Sequence, residues 1–211
     1  MMRCILMRLT ARLPVREITR SNGAPYLERY YLGRLFGWTF YLHRFLDGDE
    51  GEHLHDHPWR LSWSLILAGR YKETRLRRID GDGVHVRVRW FRPGWLNIIR
   101  GTDFHRIALP AGGEAWTLFA AGHRCRRWGF LQWWWAEESL TVHRWLHRGR
   151  DTGSEQRWHA TAPTGAQLRE RQLKRELRAR AQQIRERFRR RSLPWPITAG
   201  LYEKRRGETD A

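Results

Sequence analysis

The segment Val84-His-Val-Arg-Val-Arg-Trp90 decides the class of fold. Val84, Val86, Val88 and Trp90 alternate with His85, Arg87 and Arg89. A period of two is the signature of an extended strand, whose successive side chains point to opposite faces. The pattern predicts a half-buried antiparallel strand. Working outward, strands are expected at Tyr26–Leu32, Trp38–Phe45, Leu61–Leu67, Tyr71–Ile79, Val84–Phe91, Trp95–Ile99, Arg106–Leu109 and Trp116–Ala120. Turn-forming clusters separate them: DGDEG at 47–51, DGDG at 80–83, Pro93-Gly94, Gly101 and PAGG at 110–113. Short strands at such even spacing predict an all-β sandwich or barrel.

The chain of 211 residues is 41% hydrophobic and carries 13 Trp, enough for a real core and against a disordered protein. Composition divides it near residue 150. We expect an N-terminal segment at 1–25, a β-barrel at 26–150 and a Gly/Ser/Thr/Pro linker at 151–165. A basic helix follows at 166–191, with an extended tail at 192–211. Ala166–Arg191 lacks Gly and Pro, and Pro194 and Pro196 stop it. Thr164 is placed to cap it. Leu173, Leu177, Ile184 and Phe188 form a narrow apolar stripe. Eleven basic groups against three Glu leave this helix at +8.

The whole chain has a formal net charge of +18, and only Lys72, Lys174 and Lys204 of its 40 basic residues are Lys. A GC-rich coding sequence explains the arginine skew, and so does contact with phosphates, which the planar guanidinium fork suits. Solvent and counterions can offset the charge of Ala166–Arg191; of the two alternatives, an acidic partner protein and nucleic-acid phosphates, phosphates are the expected one. Cys4 and Cys125 make no disulfide framework, and no apolar run reaches the ~20 residues of a membrane span. The opening MMRCILMRLTARLP is broken by arginines, which argues against a secretory signal and leaves a transit peptide as a weak alternative. A cytoplasmic protein with no membrane association is expected. GxxxxGK[ST], GxGxxG and GxSxG do not occur.

The chemistry is concentrated in GEHLHDHPW, Gly51–Trp59, where His53, His55 and His57 alternate. Successive histidines on one face of a strand lie ~6–7 Å apart at Cα, so two imidazoles can converge on one ion. Three from a single strand cannot do so comfortably, and a neighbouring strand should add a ligand. His105, after the turn at Gly101, is the candidate. His53 is left as an alternative ligand or a support for the others. Asp56 should tie down the strand or back a ligand. The acidic approach of Asp47, Asp49, Glu50 and Glu52 reads as a solvated loop or as favourable charge for a cation. Most tryptophans should be core. Trp63 and Trp116, with Ser62, are the expected pocket lining, suited to an aromatic or base-like substrate.

HDHPW, LSWSLILAGRY, PGWLNIIRGTDFHRI, WTLFAAG and WGF together resemble the small single-domain cupins of bacteria and phages, over residues 26–135. In the first cupin motif, His55 and His57 match the two histidines and Gly69 the terminal glycine. Ser62 stands where that motif has a glutamate ligand. In the second motif Gly101 and His105 match in order, with one extra residue between them. The resemblance implies a double-stranded β-helix, or jelly roll, with a metal between facing strands and a three-histidine site of His55, His57 and His105. Such a site implies a divalent transition metal: Fe(II) first, with Zn, Mn or Ni as alternatives. The reading that follows is a non-haem iron-dependent oxygenase of a small molecule or modified base. Two alternatives stay open. One is a non-catalytic metal- or ligand-binding cupin that associates with nucleic acid through its helix. The other is a metal-free isomerase or epimerase.

Overall fold

The computed structural model describes residues 1–51, 53–136, 139–146 and 153–191. The tail expected at 192–211 lies outside them, as do residues 147–152. Among the described residues, twelve strands form two sheets, every pairing antiparallel. They are β1 (Val15–Thr19), β2 (Pro25–Leu35), β3 (Trp38–Phe45), β4 (Leu54–His55), β5 (Leu61–Gly69), β6 (Tyr71–Asp80), β7 (Gly83–Phe91), β8 (Leu96–Arg100), β9 (His105–Ala108), β10 (Ala115–Ala121), β11 (Gly129–Ala136) and β12 (Ser139–Leu146). One sheet has the order β1-β2-β3-β10-β5-β8, the other β12-β11-β4-β9-β6-β7.

Within these orders lies a complete jelly roll. The chain passes from β3 to β4, β5 and β6 by changing sheet each time. It then makes the hairpin to β7 and alternates again through β8, β9 and β10. The result is two four-stranded layers, β3-β10-β5-β8 and β4-β9-β6-β7. β1 and β2 extend the first sheet, and the β11–β12 hairpin extends the second. A core fills the space between the layers, built from Leu27, Phe45, Ile66, Tyr71, Phe91, Ile107 and Ala115.

A second apolar cluster gathers Leu6, Val15, Tyr30, Leu42, Ala68, Trp116 and Leu168. Leu6 comes from helix α1 (Met2–Leu9), so the arginine-interrupted N-terminus is an amphipathic helix that supplies a core residue. Leu168 comes from the first turn of helix α2 (Gly165–Arg191). Thr164 caps that helix reciprocally. Gln167 N–H donates to Thr164 Oγ1 at 3.4 Å, and Thr164 N–H donates to Gln167 Oε1 at 2.8 Å. Gly165 is needed there, because a Cβ would sit 2.2 Å from the Thr10 carbonyl oxygen.

The first compact unit spans Met1–Arg169 and contains all twelve strands; the second begins at Glu170. In the second unit the stripe Leu173, Leu177, Ile184 and Phe188 is solvent-exposed. Much of the span expected as linker is short 3-10 helix, at Gly153–Ala160.

The deciding strand obeys its period, but most of it is exposed on both faces. In β7 it is Phe91, in phase with Arg87 and Arg89, that is buried in the core between the sheets. Val86, Val88 and Trp90 are exposed on the outer face. The physical reason is β7's position at the end of its sheet, paired only with β6. There the guanidinium groups reach water while their strand phase faces the opposite sheet.

Candidate metal centre

The site begins with a cross-strand pair. His55 on β4 and His105 on β9 stand directly opposite each other in register, which brings side chains together on one face. His57 follows two residues after His55. Gly101, before β9, fits its place by size, since a Cβ would lie 2.4 Å from the carbonyl oxygen of Trp59. Its close approach sets the His105 strand against the His57–Trp59 backbone. One nitrogen from each of His55, His57 and His105 lies within 4.8 Å of the others. Nε2 of His57 and Nε2 of His105 are 2.7 Å apart.

The donor set fits a transition ion. All three are imidazoles, and burial drives two of them toward the neutral, ligating form. Burial pulls His55 down to about 4, more strongly than Asp49 raises it. Burial, with help from His105 and His55, holds His57 well below the usual histidine range. His105 Nδ1 donates to Glu73 Oε1 at 2.7 Å, which leaves Nε2 as its ligating nitrogen. Two neutral imidazoles that turn lone pairs toward each other at 2.7 Å repel unless a cation or a proton stands between them. His55 Nδ1 lies 3.6 Å from Asp49 Oδ2, so a second carboxylate stands behind a second ligand.

Both carboxylates are themselves fixed. Glu73, only 3% exposed, accepts on the same Oε1 from Arg75 and Asn97, each at 2.9 Å. Burial alone would raise its pKa, but the donors from His105 and Arg75 outweigh that and bring it to about 2. Asp49 accepts from the Tyr26 hydroxyl and from the Ile107 N–H. Asp49 is therefore built into the site rather than part of a solvated loop. Glu73 is a site residue that the sequence reading missed. Tyr71, Glu73 and Arg75 share a strand phase, but only the burial of Tyr71 in the structure shows that this phase faces inward.

Above the histidines is a cavity of about 500 Å³, within the usual ligand-pocket range of roughly 300–1,000 Å³. Tyr26, Phe45, Trp59, Phe119 and Trp128 give it aromatic walls, and Arg16, Arg29 and Arg124 are its cationic members. His43 also lines it. That buried imidazole stacks on Phe119 with centroids 4.7 Å apart and accepts from Arg29 Nε at 3.0 Å.

The other expected residues fall elsewhere. Asp56 is fully buried and points away from its histidine neighbours. It accepts from Gly129 N–H at 2.7 Å and from Arg144 Nη2 at 2.7 Å, which ties β4 to β11 and β12. His53 is half-buried and stands outside the three-nitrogen cluster. Ser62, Trp63 and Trp116 do not line the cavity. Ser62 is buried with its hydroxyl 3.4 Å from the Ile99 carbonyl oxygen. Trp63 is in the opposite strand phase and meets Phe40 edge-on. Trp116 stacks on Tyr30 in the cluster with Leu6 and Leu168. Chain proximity suggested Trp63 and Trp116, but strand phase sends both away; Trp59 and Trp128 take the place instead.

No family model matches the chain, and no curated protein matches its sequence. Solved structures align with parts of the chain at low identity. Fe(II)-HppE with the alternative substrate (S)-1-HPP aligns at 14% identity and a TM-score of 0.41, over 52% of this chain and 55% of that one. Hydroxypropylphosphonic acid epoxidase from S. wedmorenis aligns at 12% identity and 0.38, over 51% and 55%. A cupin-2 domain from Rhodospirillum rubrum aligns at 17% identity and 0.40, over 54% and 72%. The matched region spans little more than half of the epoxidase chains.

Proposed function

We propose that this chain is a metal-dependent enzyme, a non-haem iron oxygenase acting on a small molecule or a modified base. His55, His57 and His105 are its metal ligands. One observation carries the reading: three imidazoles converge beneath an aromatic-walled cavity of about 500 Å³. His55, His57 and His105 all line that cavity, so an ion they held would be reachable from it. Bound there, Fe(II) supplies activation of dioxygen, and Zn, Mn or Ni are the alternative occupants. The protein's own part is orientation and exclusion of water. Glu73 fixes the tautomer of His105, and Asp49 stands behind His55. Trp59, Phe119 and Trp128 offer flat faces to a planar substrate. Tyr26 donates to Asp49 with its phenol pKa raised by burial, so it remains protonated.

The test is elemental analysis of untagged protein, with oxygen uptake measured on Fe(II)-loaded samples. One equivalent of metal is expected, lost in His57→Ala and retained in His53→Ala. Protein that takes up no metal refutes the site and turns attention to the metal-free isomerase reading. Metal without oxygen uptake on any aromatic or nucleobase substrate would leave a binding protein.

That binding role is the second reading, and the observation favouring it is helix α2, whose arginines from Arg171 to Arg189 are exposed. There the contact would be with nucleic-acid phosphates. No helix among the described residues is long and apolar enough to cross a membrane. Both cysteines are free and exposed, in keeping with a reducing compartment, and we assign the protein to the cytoplasm.

A further inference from the structure

A second concave site, lined by none of the histidines, runs along the side where both sheets end. β7 is the last strand of one sheet and β8 the last strand of the other. Between them is a groove of about 270 Å³, whose lining includes Glu73, Arg75, Arg77, Arg87, Arg89 and Asn97. Four arginines against one glutamate leave it with an excess of three positive charges.

The floor of the groove is interlocked. Arg75 donates to Glu73, Asn97, Asp103 and the Ile98 carbonyl at 2.7–3.2 Å. The single acid of the lining is shared with His105. No carboxylate of the lining is left for Arg77, Arg87 or Arg89. Arg87 stands directly across the β6–β7 pair from Arg75, a like-charge opposition that destabilises a sheet. A bulge between Leu76 and Arg78 adds Arg77 to the same place. Arg89 is held over the rings of Phe91 and Trp95, at 5.3 and 5.1 Å from their centroids. Finally, Nε of Arg75 is buried without an acceptor, and an unsatisfied buried donor is costly.

We propose that this groove binds a phosphoryl anion through Arg77, Arg87 and Arg89. A multiply charged tetrahedral anion answers the charge excess, and guanidinium forks match its oxygens in pairs. A lone carboxylate would offset only one of the three charges. The volume falls just below the range of drug-sized pockets, so the groove accommodates a phosphate or diphosphate group rather than a whole large ligand. The phosphoryl oxygens come either from a small phosphorylated molecule or from the backbone of a nucleic acid.

Calorimetric titration of the full-length protein with inorganic pyrophosphate tests the site. One equivalent should bind, with affinity at least tenfold weaker in Arg87→Gln/Arg89→Gln, which alters exposed side chains. Arg178→Gln/Arg185→Gln in helix α2 should leave that affinity unchanged. A single-stranded oligonucleotide identifies the source of the phosphate. Displacement of pyrophosphate, with the same tenfold loss in the β7 variant, assigns the groove to phosphodiester. Failure to displace assigns it to a small phosphate. Should the double variant fail to fold, wild-type arginine Nε–H resonances decide: Arg77, Arg87 and Arg89 must shift on titration. Equal pyrophosphate affinity in the β7 variant, loss only in the helix variant, or unmoved resonances would overturn the proposal.

Discussion

Glu73→Gln isolates the charge of one buried carboxylate while keeping its shape. Glutamine imitates the protonated acid: its Oε1 can still accept from His105, Arg75 and Asn97. What disappears is the preference of those donors for the ionised form. The native pKa of about 2, against an ordinary 4.5, measures that preference. At ~1.4 kcal/mol per pH unit it amounts to about 3 kcal/mol. A carboxylate with a depressed pKa stabilises the fold above its unfolded value and loses that contribution as pH falls through its folded value. The variant should therefore be about 3 kcal/mol less stable at pH 7. It should also lose the part of the acid sensitivity that wild type shows between pH 4.5 and 2. Urea denaturation of chelator-treated protein measures the first, provided the m-value is unchanged. Metal titration of folded protein gives a second readout: a neutral amide polarises His105 less than a carboxylate does, and weakening such an orienting partner lowers metal affinity by up to roughly 10–100-fold. A loss below about 1 kcal/mol at pH 7, with metal affinity intact, would refute the role given to Glu73.

Asp56→Asn should cost about 3–5 kcal/mol, the range for removing one partner of a buried ion pair, toward the lower end because Arg144 is 31% exposed. A thermal melt checks this. Metal-free protein should lose stability as pH falls from ~6.5 to about 4, since His55 is held neutral in the fold while its unfolded counterpart takes a proton. His43 and His57, both pushed down by burial, add in the same direction; denaturation curves at stepped pH show the slope. A chain ending after Arg169 should fold, whereas one ending at Asp151 should lose Leu168 from the core and melt earlier. If helix α2 engages six DNA phosphates, the Arg169 truncation should remove a log–log salt slope of roughly −5 measured on the full chain. Equal affinity of the two would remove the helix from nucleic-acid binding.

The strands legible in the sequence are those with a clear period or a firm turn on each side, such as Tyr71–Ile79 and Val84–Phe91. The missed ones lack such marks. β4 has only two residues, and its strand character comes from pairing with β9 and β11. Trp133–Trp135 in β11 show no polar alternation. Helix α1 is one short amphipathic stretch whose arginines obscured Leu6. For the site, His55 and His57 were legible because alternation is local. His105 needed the inference that a facing strand must contribute. Glu73 was hidden because its role depends on which side of β6 faces the other sheet, and period two does not tell inside from outside. The same ambiguity led to Trp63 and Trp116.

The jelly-roll path has a kinetic consequence. Because β3 to β10 alternate between sheets, few of their pairings join neighbours in sequence; β4 and β9 meet only after the intervening chain has been laid down. Folds dominated by such non-local pairing collapse slowly, on millisecond-to-second scales. Before β9 docks, an ion would find only the local pair His55 and His57, a weak chelate. His105 lies 48 residues beyond His57, so a third bond formed early would have to close that loop, while one formed late closes nothing new. Full-strength coordination would thus mark the end of folding, and an ion would act less as a nucleus for the chain than as a seal on the finished barrel.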